Sequence, residues 1–161
     1  MNVLIKSATI LDKKSDFNNT IQDILVENGF IKKIEPSINN TQNFPLINFE
    51  NLHISQGWFD SSVCFGEPGY EDRETIKNGL IVAAKSGFTS VVLQPNTSPV
   101  LDEKSAISFV KNNPTKNATT ILPSGALTKS SEGNNLAEIY DMFSEGCVAF
   151  GDYKKQIKNP N

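Results

Sequence analysis

Between Asp60 and Gly69 the chain reads Asp60-Ser61-Ser62-Val63-Cys64-Phe65-Gly66-Glu67-Pro68-Gly69, directly after an apolar run from Ile54 to Phe59. A strand ending here would deliver its last side chains to a site, and residues 62 and 64, one residue apart, would share a face of it. What those residues offer is weak. Ser62 is a neutral oxygen ligand, and as a nucleophile it has neither a Gly-x-Ser-x-Gly elbow nor a histidine base beside it in the sequence. Cys64 can bind zinc as a thiolate, but one thiolate without neighbours makes no site. His53, the only histidine, lies upstream of the strand's C-terminal end and reads as a satisfied surface or strand histidine. Asn96 sits in Gln94-Pro95-Asn96-Thr97-Ser98-Pro99, a segment with turn chemistry of its own. Asp60 reads as a strand-end anchor and Asp152 as an isolated acid. Glu132, Glu138 and Asp141 are most simply a solvated helix face.

Composition narrows the partners. A chain of 161 residues holds one domain, or one small domain plus part of another. A formal charge of -3 argues against nucleic acid and anionic membrane, which reward clustered Lys and Arg. Arg73 is the only arginine, so bidentate clamping of carboxylates or phosphates has almost no material. No apolar run approaches the roughly 20 residues of a membrane helix, and the first residues lack the pattern of a signal peptide. A cytoplasmic location follows, and in that reducing compartment Cys64 and Cys147 are expected as free thiols.

Two regimes of elements must position these residues. Residues 1–53 predict short strands and tight turns, including a hairpin from Ile24 to Ile34 about Asn28-Gly29, a dipeptide suited to a type I′ turn. From Ile54 the pattern alternates. Strands are expected at Ile54–Asp60, Thr89–Leu93, Ala118–Leu122 and Cys147–Phe150, with Thr89–Leu93 buried on both faces. Helices are expected at Glu71–Ser86, from an N-cap at Asp102 to about Asn112, and at Leu136–Glu145. Strands separated by helices predict right-handed crossovers and a parallel sheet. A Lys- and Asn-rich tail, Tyr153 to Asn161, follows the fourth strand. A β/α barrel needs eight such units, so the chain reads as a fragment truncated after the fourth strand, residues 54–161 being the first half of a barrel.

These segments together resemble the dihydroorotase family of the amidohydrolase superfamily. Gln56-Gly57-Trp58-Phe59-Asp60 is similar to its Pro-Gly-Phe-Ile-Asp strand, and Phe65 with Glu67-Pro68-Gly69 is similar to the end of its Asp-x-His-x-His-Phe-Arg-Glu-Pro-Gly motif. Ala83-Ala84-Lys85-Ser86-Gly87-Phe88-Thr89, the Asn96 loop, Gly125-Ala126-Leu127-Thr128-Lys129 and Gly146 to Asp152 follow in the family's order. The resemblance implies an α/β fold, a TIM-type barrel preceded by a small β-sandwich part at residues 1–53. It also implies zinc-assisted opening of a cyclic amide, dihydroorotate, to carbamoyl aspartate. In this chain, however, Ser62 and Cys64 stand where the two metal-binding histidines belong, and Gly66 stands where the family arginine holds the substrate carboxylate, so that charged hydrogen bond is lost. By the same resemblance Asn96 corresponds to an asparagine that contacts the carboxylate. Asp152 corresponds to one of the metal-bridging acids, with Tyr153 in place of another. The resemblance therefore implies a non-catalytic homologue with no catalytic residue and no cofactor in these residues. Its role would be structural in pyrimidine biosynthesis, as a partner of aspartate carbamoyltransferase or in self-association. The alternative is an active cyclic-amide hydrolase whose altered metal site is completed by residues beyond 161.

Overall fold

A computed structural model describes residues 1–115 and 117–159; the tail's last two residues lie outside the described ones. The chain forms two compact units, Met1–Gln56 and Gly57–Asn161.

The first unit is a mixed sheet. Strand β1 (Val3–Leu11) pairs antiparallel with β2 (Ile21–Glu27), which pairs antiparallel with β3 (Phe30–Glu35). The short strands β4 (Leu46–Ile47) and β5 (His53–Ser55) both run parallel to β1. Asn28 and Gly29 form the expected two-residue turn, with φ of 53° and 82° and Glu27 opposite Phe30. Val3, Leu4, Ala8, Ile10, Ile24 and Ile38 are buried.

Among these apolar residues lies Asp23, 2% exposed. Its carboxylate accepts hydrogen bonds from the Ser7 N–H (2.9 Å), the Ile38 N–H (2.8 Å) and the Lys6 ammonium. Burial pushes its pKa up, but the hydrogen bonds from Lys6, Ser7 and Ile38 outweigh that and hold it below the ordinary value. A lowered folded-state pKa means that the stabilisation is complete above the unfolded value of roughly 3.9 and disappears as pH falls through the folded one. Chemical denaturation of wild type and Asp23→Asn is expected to show a constant stability difference above about pH 5 that shrinks below about pH 4. A difference independent of pH down to acid unfolding would refute this account of Asp23.

The second unit is a parallel sheet in chain order: β6 (Trp58–Val63), β7 (Phe88–Leu93), β8 (Thr120–Gly125) and β9 (Ala149–Phe150). Helices α1 (Ile76–Lys85), α2 (Lys104–Lys111) and α3 (Ile139–Glu145) fill the crossovers. Ile76, Leu80, Val91, Leu93, Leu101, Ile107, Val110 and Met142 make its core.

Several boundaries differ from the sequence expectation, each for a local reason. The apolar run at 54–59 is not one strand but the end of β5 and the start of β6, broken at Gln56-Gly57. Gly57 lies so close to the Thr89 side chain that a Cβ there would stand 2.9 Å from the Thr89 Cβ. Helix α1 begins at Ile76, not Glu71, because Thr75 caps it, its hydroxyl accepting from the Asn78 N–H at 3.1 Å. Asp102 is not the α2 cap; Glu103 holds that place without a side-chain cap, and Asp102 Oδ2 accepts from the Ser130 N–H at 2.7 Å. Leu136 pairs with Thr128 before α3 starts. In β7 the last three residues are buried, but Thr89 is exposed. No helix among the described residues is long and apolar enough to cross a membrane.

Candidate functional site

In a parallel β/α sheet the chemistry belongs at the C-terminal ends of the strands. The end of β6 carries a one-residue bulge: Asp60 faces Val91 and Val63 faces Leu93, so three steps on β6 match two on β7. Asp60 Oδ1 accepts from the Ser62 N–H at 2.9 Å, making it the anchor of the bulge. Ser62 and Cys64 are both exposed. Cys64 lines a cavity of about 450 Å³ between β6 and α1, together with Asp60, Val63, Phe65 and Glu74, whereas Ser62 does not line it.

Gly66 is the pivot of the loop that follows. Its N–H donates to the Glu74 carbonyl (2.8 Å) and its own carbonyl accepts from the Tyr70 N–H (2.9 Å). An added Cβ would fall onto the Tyr70 carbonyl oxygen, 2.6 Å from its carbon and 3.1 Å from the Glu74 oxygen. Neither backbone group of residue 66 is left for a ligand, and no side chain fits. Glu67 Oε2 accepts from the Ile76 N–H (2.7 Å) and so ties the loop to the start of α1. The Pro68 carbonyl accepts from the Ser98 N–H (2.9 Å), joining this loop to the one after β7. Glu71 accepts from the Gly69 N–H (2.8 Å), which keeps its carboxyl below the ordinary range. The guanidinium of Arg73 lies 4.1 Å from the Tyr70 ring centre.

Asn96 follows β7, half-buried, with Oδ1 buried and unpartnered among the described residues. Asp152 follows β9 and is 9% exposed. Its Oδ1 accepts from the N–H groups of Leu127 and Thr128, both at 3.0 Å, and its Oδ2 from the Thr128 hydroxyl. The carboxylate thus fastens the loop after β8 to the end of β9, a role that only the three-dimensional contact reveals. His53, on β5, belongs to the first unit, where Nδ1 lies 2.7 Å from the Asn51 carbonyl.

This donor set does not fit a zinc ion. Positions 62 and 64 offer a hydroxyl and one thiol, Asp152 is committed to backbone and hydroxyl donors, and no group of three His, Cys, Asp or Glu residues among those described is placed to hold a metal. Cys147 is no substitute: it is buried, which pushes its thiol pKa up against the hydrogen bonds to the Ala149 carbonyl and from the Gly125 N–H.

Comparison with known proteins places this geometry. The profile of a family described as dihydro-orotase-like matches residues 53–160. Dihydroorotases of Trichlorobacter lovleyi and Pelotomaculum thermopropionicum are 34% and 38% identical over 99% of this chain, which spans 37% of the length of each. Among solved structures, an L-hydantoinase (dihydropyrimidinase) from Arthrobacter aurescens superposes with a TM-score of 0.67 at 20% identity, over 92% of this chain and 32% of that one. A dihydroorotase crystal structure gives 0.60 at 13% identity, over 92% and 41%. The second unit therefore has the fold of the first strand–helix units of an amidohydrolase barrel.

Proposed function

Because the chain belongs to the dihydro-orotase-like family, we propose that it is a non-catalytic member of it, serving pyrimidine biosynthesis in the cytoplasm as a structural partner of aspartate carbamoyltransferase. The observation that carries this reading is the state of position 66. The frame around it, Glu67-Pro68-Gly69 and the Asn96 loop, retains the family pattern, while the carboxylate-binding cation is replaced by a glycine whose loop admits no side chain. Ser62 and Cys64 supply no imidazole pair, and Asp152 is engaged as a staple. Loss of metal ligands and of the substrate cation together, with the frame intact, fits a protein kept for its shape.

The test is elemental analysis of the purified full-length protein together with an assay of carbamoyl aspartate cyclisation. Substoichiometric zinc and a rate indistinguishable from the uncatalysed one are expected. Stoichiometric zinc with measurable cyclisation would replace this reading by that of an active hydrolase whose site is completed elsewhere in the polypeptide.

A further inference from the structure

The Lys-rich segment after β9 is held against the turn that follows β8. The Gly133 carbonyl accepts from the N–H groups of Lys158 (2.7 Å) and Asn159 (2.9 Å), and the Lys155 N–H donates to the Asp152 carbonyl (2.9 Å). Gly133, at φ 76°, permits this approach: a Cβ on it would stand 2.9 Å from the Lys158 nitrogen. Its own N–H donates to the Thr128 hydroxyl at 2.8 Å, so the contact is anchored on the Asp152 staple.

Between the turn and the segment lies a cavity of about 410 Å³, lined by Ser131, Glu132, Lys155, Gln156 and Lys158, all polar or charged. It stands beyond the C-terminal ends of β8 and β9, the end at which a β/α sheet carries its sites. Ser131 is only 5% exposed, yet its hydroxyl makes no hydrogen bond among the described residues. A buried hydroxyl is ordinarily hydrogen-bonded, so this one calls for a partner. Lys155, Lys158 and Glu132 likewise form no ion pair among the described residues. Two lysines against one glutamate leave the lining positive, and the Ser131 hydroxyl and Gln156 amide add neutral donors.

We propose that this cavity binds a phosphate group, either the free ion or the monoester of a small molecule. Lysine ammonium groups act as point charges suited to a tetrahedral phosphate, whereas a planar carboxylate is best matched by the paired N–H groups of an arginine, which this lining lacks. The hydroxyl of Ser131 donates to one phosphate oxygen, and Lys155 and Lys158 neutralise the others. Glu132 opposes the anion and limits its affinity. The site uses none of the residues at 62, 64 and 66 and does not depend on whether the protein is catalytic.

Titration calorimetry of the full-length protein with inorganic phosphate, methyl phosphate and acetate, at constant ionic strength, tests this. Both phosphates are expected to bind and acetate not; the tighter of the two identifies the free ion or the monoester as the ligand. Lys155→Ala/Lys158→Ala is expected to weaken binding about tenfold or more, with the melting curve of the unliganded protein unchanged. Ser131→Ala is expected to weaken it less. Glu132→Gln is expected to tighten it, an effect that no loss of folding produces. Absence of phosphate binding by the wild type, an unchanged affinity in the lysine double variant, or equal affinity for acetate would each overturn the proposal.

Discussion

Replacing Gly66 by alanine is expected to lower the unfolding free energy by about 3 kcal/mol, at the upper end of what overpacking costs. The methyl group has nowhere to go. Its obstacle is the Tyr70 carbonyl, a backbone group held in place because the Tyr70 N–H donates to the Gly66 carbonyl. Side chains can rotate away from an intruder; this carbonyl can move only if the loop opens. Opening it would also break the 2.8 Å bond from the Gly66 N–H to Glu74. Gly151→Ala is the control, since an added Cβ there meets nothing within 4 Å, and a change of no more than about 0.5 kcal/mol is expected. Equal melting curves for the two variants would show that the loop is not closed as described.

The same steric argument extends to Gly66→Arg. An arginine at 66 must carry its Cβ past the same carbonyl, so the variant is expected to be destabilised at least as much as Gly66→Ala and to gain no affinity for a carboxylate ligand.

How much of this was legible beforehand differs between fold and site. The parallel sheet was readable because β-branched runs such as Thr89–Leu93 alternate with helical spacing, and because Asn28-Gly29 has few conformational options. The break at Gly57 was not, since the apolar run from Ile54 to Phe59 passes through it and only the neighbouring Thr89 forces the division. Nor was the late start of α1: Glu71 to Glu74 are acceptable helix formers, but hydrogen bonds to Gly66 claim Tyr70 and Glu74 for the loop. That Ser62, Cys64 and Gly66 stand in place of two histidines and an arginine is what the family resemblance implies. The closure around residue 66 could not be read from the sequence, because it depends on a carbonyl four residues away.

Asp152 gives the second large effect. Asp152→Ala is expected to cost on the order of 3 kcal/mol, because it strands the N–H groups of Leu127 and Thr128 and the Thr128 hydroxyl in a buried place, and hydrogen bonds to a charged group are the more valuable kind. Asp152→Asn keeps one acceptor oxygen and turns an amide towards the remaining donors, so an intermediate loss is expected. The staple and the family's metal-bridging role make opposite predictions about zinc. A carboxylate used as a ligand would make the melting temperature of the wild type rise with zinc concentration, since binding to the folded state alone stabilises it by mass action. A carboxylate used as a staple contributes a stability that does not depend on zinc. Melting curves of wild type and both variants, in chelator and in a zinc series, separate the two. The staple requires the same loss for each variant under both conditions and no zinc-dependent rise for the wild type. A rise of several degrees in the wild type that Asp152→Ala abolishes would return this residue to a metal site and undo the structural reading of the strand ends.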